Sequence, residues 1–515
     1  MQEEDNVQLF KVTVGIDRKI TTQHTLNRDI GFPTAYLKPA SAVQWDTITT
    51  LSKIFREGRL LEEDEFRTLG ANLYEFLLNN PVGDLINRII SEKSGFDKQE
   101  GAILRLELEF EEDEYGINSD KLEFLSWPWE YLYCWQQQMF LSEVTQLVLT
   151  RRLFLRKGEN KRDLLIKDRD KPRVLFVCAS PKASPDEPQL SRVQSAILFE
   201  MFNEEPIRSK IDLLEPLLIA NNEEDVQNGV DNDKLRRGFA TWQAFKTLVA
   251  TYRPNIIHFV GHGRFEKDKG EIAFLTADES HSAHWINQEA IARELKGIKE
   301  VRLVFLQACE SGVGGKIANP YRAISGIASR LAAENIPAVV AMQSKISNKE
   351  SNRFAKEFYT ALLESRAIEA AVLQGREKLL QDLGDWSVSK AFGLPVLYLR
   401  SNDSILLPPK QKQRSTPNTN EGSLSENSNQ FIGTPDSGYC PRCHAFYEAG
   451  VTGCVECGTP FFCSKCKRPI ITTLKNEKAR FCPYCFPPTP LALPPLPADT
   501  VSTDSFSRTG KTGPL

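Results

Sequence analysis

Apolar and polar residues alternate with period two over residues 9–16 and over most of 103–110, which predicts half-buried strands. Between them, residues 42–78 carry helical spacing, with polar residues such as Ser52 falling between apolar ones. A different pattern begins at 173–179, which past its first residue is apolar without a break, as in a strand buried on both faces. A helix is predicted at 190–201, a strand at 211–214, a helix at 235–251, a strand at 256–260, a helix at 288–295 and a strand at 301–306. Strands and helices alternating at this spacing predict a parallel sheet with helices on both faces. Helices at 321–334, 350–365 and 368–380, and strands at 338–342 and 396–399, complete the pattern.

The same pattern divides the chain. Residues 157–171 are charged and read as a link, so 1–165 is expected to be an N-terminal α+β subdomain and 166–400 an α/β domain. Within the first, Trp127, Trp129 and Tyr131 form an aromatic cluster opening a short helix, read as core packing. Residues 401–437 are rich in Ser, Asn, Pro and Gln and hold few apolar anchors, which predicts a flexible linker. A cysteine-rich module follows at 438–486, and the Pro-, Ser- and Thr-rich end, 487–515, reads as a disordered tail.

Composition adds little beyond class. The chain has 515 residues, room for about three domains. At 41% hydrophobic and 26% charged it has an ordinary globular balance. A net charge of −4 argues against a dedicated nucleic-acid binder, although a local basic surface is compatible with it. No apolar run approaches the roughly 20 residues that span a bilayer. The acidic, polar start MQEEDNVQLF has no secretory pattern. The expectation is a cytoplasmic protein with no membrane association.

Chemistry enters at two strand ends. The predicted strand at 256–260 runs into Gly261-His262-Gly263, and that at 301–306 runs into Gln307-Ala308-Cys309-Glu310-Ser311-Gly312. In open α/β sheets, sites gather just past the carboxyl ends of strands. If these strands are neighbours, about 4.8 Å apart, a thiol and an imidazole emerge side by side. The imidazole lowers the thiol pKa or takes its proton, and later protonates a leaving amine. Backbone N–H groups of Gly263 and Cys309 are the candidate donors for an oxyanion, and a glycine at 263 lets a carbonyl approach without a Cβ clash. His258, inside the apolar strand, reads as a core histidine, and Cys178 as packing. Met342 and Gln343, at the end of another strand, are candidates to line a substrate pocket.

These residues resemble a family. Gln307-Ala308-Cys309, with a histidine 47 positions upstream, is similar to the caspase signature, but Glu310-Ser311-Gly312 departs from it. The wording is closer to the CHAT domain, a relative of caspases and separases. The matching pieces are Trp129-Glu130-Tyr131-Leu132, the six residues from His258 to Gly263, Ala308 to Gly312, Ile336 to Gln343, and Pro395 to Tyr398. The resemblance covers roughly residues 60 to 400. It implies a caspase-like, mostly parallel sheet flanked by helices, a Cys309–His262 dyad and regulated endopeptidase activity on a protein substrate. No 34-residue self-similarity, as in the tetratricopeptide repeats of many relatives, is present. Specificity stays open, because Glu310, Lys316, Arg322 and Lys345 are a mixed set.

The module at 438–486 holds four CxxC pairs, Cys440/Cys443, Cys454/Cys457, Cys463/Cys466 and Cys482/Cys485. A CxxC turn presents two thiolates to one ion, so two turns complete a Cys₄ site. The first two pairs are assigned to one zinc and the last two to a second, with an interleaved pairing as the alternative. The pattern resembles a double zinc ribbon. With all positions filled by thiolate, both zincs would be structural and the module would need them to fold. Its expected role is an adaptor for an activating protein partner. Nucleic acid is weakly supported, since 401–515 carries 12 Lys and Arg against 9 Asp and Glu. The rival readings are a catalytically inactive scaffold with the same fold and a nucleic-acid-sensing zinc-ribbon protein.

Overall fold

The structure, a computed structural model, describes residues 6–15, 17–26, 31–56, 61–91, 102–111, 127–144, 146–153, 162–179, 181, 198–218, 239–266, 269–277, 282–308, 320–344, 346–381, 390–408, and short strands at 438–439, 446–447, 479–481 and 490–492. The chain divides into two compact units, 1–412 and 413–515.

The first unit begins with strands β1 (Val7–Val14), β2 (Lys19–His24) and β3 (Ala35–Tyr36), then helices α1 (Ala42–Arg56), α2 (Glu63–Leu78) and α3 (Pro81–Ser91). Strand β4 (Ile103–Phe110) follows, then a hairpin of β5 (Tyr133–Cys134) and β6 (Met139–Phe140), and β7 (Leu147–Leu153). Next come β8 (Arg173–Ala179), β9 (Asp212–Leu213), α4 (Trp242–Tyr252) and β10 (Ile256–Gly261). Three short strands, β11 (Gly263–Glu266), β12 (Lys269–Leu275) and β13 (Ala283–Asn287), lead to α5 (Gln288–Lys296) and β14 (Leu303–Ala308). The unit closes with α6 (Pro320–Ala333), β15 (Ala338–Met342), α7 (Asn348–Leu362), α8 (Ile368–Gln381) and β16 (Pro395–Leu399).

Eleven of these strands form one sheet in the order β3-β2-β1-β4-β7-β16-β15-β14-β10-β8-β9. β8, β10, β14 and β15 run parallel, β16 turns antiparallel to β15, and β7, β4 and β1 continue parallel to β16. The fold is the expected mixed α/β architecture, a large, mostly parallel sheet flanked by helices. The sheet includes strands from both sides of residue 165, so the two expected subdomains share it. The join is the pairing of β16 with β7, and apolar β10, deeper in the sheet, has a cover on each face. His258 stacks on Phe305 and meets Phe176, Phe202 and Tyr359 of α7 on one face. Phe259 meets Phe274 of β12 on the other, and Phe274 meets Trp242 and Phe245 of α4.

Several boundaries differ from the sequence expectation for local reasons. α4 starts at Trp242 because Thr241 caps it, accepting from the Ala244 N–H at 3.2 Å, while Phe239 and Thr241 make β-bridges. α7 starts at Asn348 because Ser347 and Glu350 form a capping box, and Ser365, expected to be helical, has a left-handed φ of 62°. Most of the helix expected at 190–201 lies outside the described residues.

β4 is not half-buried. All eight residues are buried, because its charged side chains find partners inside. Arg105 pairs with Glu369 of α8 at 2.9 Å, Arg152 with Glu107 at 3.3 Å and Lys11 with Glu109 at 2.5 Å. The end of the unit straps over this layer. Asn402 Oδ1 accepts from Arg152 at 3.2 Å, Ser404 Oγ donates to Glu369 at 2.9 Å, and Ile166 N–H donates to Leu406 O at 2.8 Å. The first residues of the expected linker, 401–408, therefore lie on the body.

In the second unit two antiparallel pairs are described, Gly438–Tyr439 with Phe446–Tyr447 and Ala479–Phe481 with Pro490–Ala492. Cys440, Cys443, Cys454, Cys457, Cys463, Cys466, Cys482 and Cys485 lie outside the described residues. Among the described residues no helix is long and apolar enough to cross a membrane, and no cluster of His, Cys, Asp or Glu is placed to hold a metal.

Candidate active site

β10 and β14 are adjacent and parallel, and their register runs from Ile256↔Leu303 to Gly261↔Ala308. Gly261 is glycine because the chain is crowded there. A Cβ would stand 2.3 Å from the Ala179 carbonyl oxygen of β8 and 2.8 Å from the Phe259 ring. The last residue of β10 thus lies tight against β8, and the next residue, His262, emerges at the carboxyl edge of the sheet.

His262 is only 5% exposed. Burial disfavours its charged form and pulls its pKa down to about 4, so the ring is neutral at pH 7. Its carbonyl accepts from the Ala273 N–H at 3.0 Å. That bond fixes the phase of the small sheet β11-β12-β13. In an antiparallel ladder hydrogen-bonded and non-hydrogen-bonded rows alternate. The His262 row is bonded, so the Gly263↔Ile272 row is not, and the Gly263 N–H is not spent on β12.

Cys309 is one peptide bond beyond Ala308 and lies outside the described residues. The other cysteines of the first unit are both buried. Burial pushes the Cys178 thiol up to about 12, the state of a packing residue. His258 is a core histidine, with Nδ1 3.1 Å from the Tyr359 hydroxyl and a pKa pulled down to about 3 by burial.

Gln343, expected with Met342 to line a substrate pocket, is buried, as Met342 is. It is 2% exposed, and its side chain is bound on the inner side. Arg151 Nη2 donates to its Oε1 at 3.0 Å, and its Nε2 donates to Glu130 at 3.0 Å and to the Gly393 carbonyl at 2.6 Å. Glu130 and Arg151 form a salt bridge and are both fully buried. The aromatic cluster around Trp129 is therefore more than packing, since it delivers a carboxylate. Its signal in the sequence was a lone glutamate among five aromatic or apolar neighbours. The three-stranded sheet after His262 was also missed, because its strands are short and broken by charge.

The CHAT domain family matches residues 70–417, more than half of the chain. The chain belongs to the CHAT domain family. Among solved structures, this CHAT protein is similar to the Arg-specific cysteine proteinase gingipain R, at 10% identity and a TM-score of 0.34, over 79% of each chain. It is similar to the pro- and mature-domain complex of the Porphyromonas gingivalis gingipain at 12% identity and a TM-score of 0.35, over 70% of this chain and 76% of the other. Against separase of Saccharomyces cerevisiae in its securin complex, identity is 11% and the TM-score 0.33, over 76% of this chain and 30% of the other. No curated protein matches the chain.

Proposed function

We propose that this CHAT protein is a regulated cysteine endopeptidase that uses Cys309 as nucleophile and His262 as base. The observation that carries the reading is the register of β10 on β14. It pairs Gly261 with Ala308, and the next residues along the two parallel strands are His262 and Cys309. Family membership supports the same chemistry.

The buried, neutral His262 sets the order of events. It is a proton acceptor at pH 7 rather than a standing cation. As the Cys309 sulfur attacks the substrate carbonyl carbon, His262 takes the thiol proton. The carbonyl electron pair moves to oxygen, and the Gly263 and Cys309 N–H groups receive the oxyanion. When the C–N bond breaks, the proton passes from His262 to the leaving amine. Water, deprotonated by the same imidazole, then releases the acyl group as an acid and restores the thiol.

The cysteine-rich module is read as an adaptor for an activating protein partner, with two structural zincs. Two observations support zinc. Eight cysteines stand as four CxxC pairs. The two described hairpins of this unit bracket Cys440/Cys443 and Cys482/Cys485 in sequence. A pair of thiolates in a hairpin turn is half of a Cys₄ site. The assignment predicts about two zinc per full-length chain by elemental analysis, falling when the cysteine pairs are changed to serine. A metal-free purified chain with ordered 438–486 would refute it.

The test of the dyad is peptide-library cleavage by the full-length chain, read by mass spectrometry. Cys309→Ala and His262→Ala should each lower cleavage by several orders of magnitude. Equal cleavage by wild type and both variants refutes the dyad. Lack of cleavage by wild type, with a Cys309 thiol no more reactive than buried Cys178, selects the inactive scaffold instead.

A further inference from the structure

The cluster of Glu130, Arg151 and Gln343 sits beside the strand that leads to the proposed nucleophile. β14 and β15 pair with Leu306 opposite Ala341. Two residues further along each parallel chain stand Ala308 and Gln343. Gln343 thus directly follows β15, the strand paired with β14, and by continuation of the register stands level with Ala308, the last residue of β14.

Its hydrogen bonds join separate parts of the chain. Its own N–H donates to Leu394 O at 3.0 Å, and its side chain binds Arg151 of β7, Glu130 and the Gly393 carbonyl. Both amide atoms of the side chain are engaged. The turn that supplies Glu130 has no slack. A Cβ on Gly70 of α2 would meet the Tyr131 carbonyl oxygen at 2.0 Å, and one on Gly393 would meet the Tyr131 ring at 2.6 Å. Arg151 is held as a cation despite burial, because Glu130 and Tyr398 oppose the desolvation.

Such a cluster is an expensive way to fill a core. Apolar residues of the same volume are often as stabilising as a buried ion pair. What the charged version adds is one fixed arrangement of three segments, because hydrogen bonds of Gln343 and Arg151 converge on one another, on Glu130 and on the Gly393 carbonyl.

We propose that Gln343 is a positioning residue. Anchored on the Glu130–Arg151 pair, it fixes the carboxyl end of β15 and so the adjacent end of β14, from which Cys309 follows. This rests on the reading of Cys309 and His262 as a dyad. It makes the N-terminal part of the sheet a determinant of thiol reactivity without contact between that part and the substrate.

The experiment is alkylation of the full-length chain with iodoacetamide across pH, with the rate at each cysteine read by mass spectrometry. Wild type, His262→Ala and Gln343→Met are compared. Methionine keeps the length of the side chain and removes its hydrogen bonds. In wild type, Cys309 should react faster than Cys134 and Cys178, and His262→Ala should remove that advantage. Gln343→Met should lower the Cys309 rate at pH 7 by about tenfold and move its pH midpoint, with Cys134 and Cys178 still protected. Protection of those two buried thiols shows that the fold is intact. If Gln343→Met does not fold, Gln343→Asn, which keeps the amide but shortens its reach, is compared in the same way.

A Gln343 variant with the wild-type rate and midpoint overturns this proposal and leaves the dyad standing. A wild-type Cys309 with no advantage over Cys178, or one that His262→Ala does not change, overturns both.

Discussion

At the scale of residues, two histidines one helical turn apart in number do different work. His258 and His262 both lie in or just after β10, and burial keeps both neutral. Only the second lies past the strand end. Their shared burial has a measurable consequence. From an ordinary value of 6.5, the folded pKa values are about 3 and about 4, so between those limits the unfolded chain binds more protons. Stability is then unaffected by these groups above about pH 6.5 and falls as pH drops below it, by about 1.4 kcal/mol per unit for each fully titrating histidine. His258→Phe should be less stable than wild type at pH 7, since the Tyr359 hydroxyl loses its partner. Its deficit should shrink by roughly 1 kcal/mol between pH 6 and 5. Urea unfolding at the two pH values measures both, and a constant deficit would show that His258 is not neutral in the fold. Cleavage by wild type should persist in mild acid and fail only as pH nears the His262 value of about 4.

At the scale of elements, β7 shows how a buried ion pair hides a strand. Its sequence LVLTRRL carries two adjacent arginines, which break the alternation expected of a sheet interior. The two point to opposite faces, as successive strand residues must. Arg152 joins Glu107 on one side and Arg151 joins Glu130 on the other. Arg151→Met should cost about 3–5 kcal/mol, because it removes the cation that pairs with the fully buried Glu130 and leaves the Gln343 amide on that carboxyl. Adding Glu130→Gln to that variant should recover part of the loss. Chemical denaturation of the single and double variants measures this, and an additive double variant would mean that the two side chains do not interact. The strands around the proposed site were easier to read than β7. β8, β10, β14 and β15 carry no paired charges, so their apolar runs stood out.

At the scale of the whole molecule, the sheet makes the two halves of the first unit interdependent. β16 pairs with β7 on one side and β15 on the other. A fragment of residues 166–408 would keep both proposed catalytic residues but open the β7 edge of β16 and leave Gln343 without Arg151 and Glu130. Exposed edge strands with apolar faces aggregate. Such a fragment should be insoluble or unfolded, and co-expression with residues 1–165 should restore soluble complex. A folded, monomeric fragment that alkylates at Cys309 like the full chain would contradict the sharing of one core.

By itself, the sequence determined the class of fold, the strands on either side of the proposed dyad, the choice of Cys309 and His262 as candidates and the spacing of the CxxC pairs. Each is a local pattern: an apolar run, a glycine-flanked histidine, a CxxC turn. The structure decided the pairing of β10 with β14, the reversal of the sheet at β15 and β16, and the burial of Glu130, Arg151 and the β4 charges. Those depend on partners tens to hundreds of residues away. A charge is read as surface until the opposite charge that balances it is placed beside it, and only folding of the chain brings the two together.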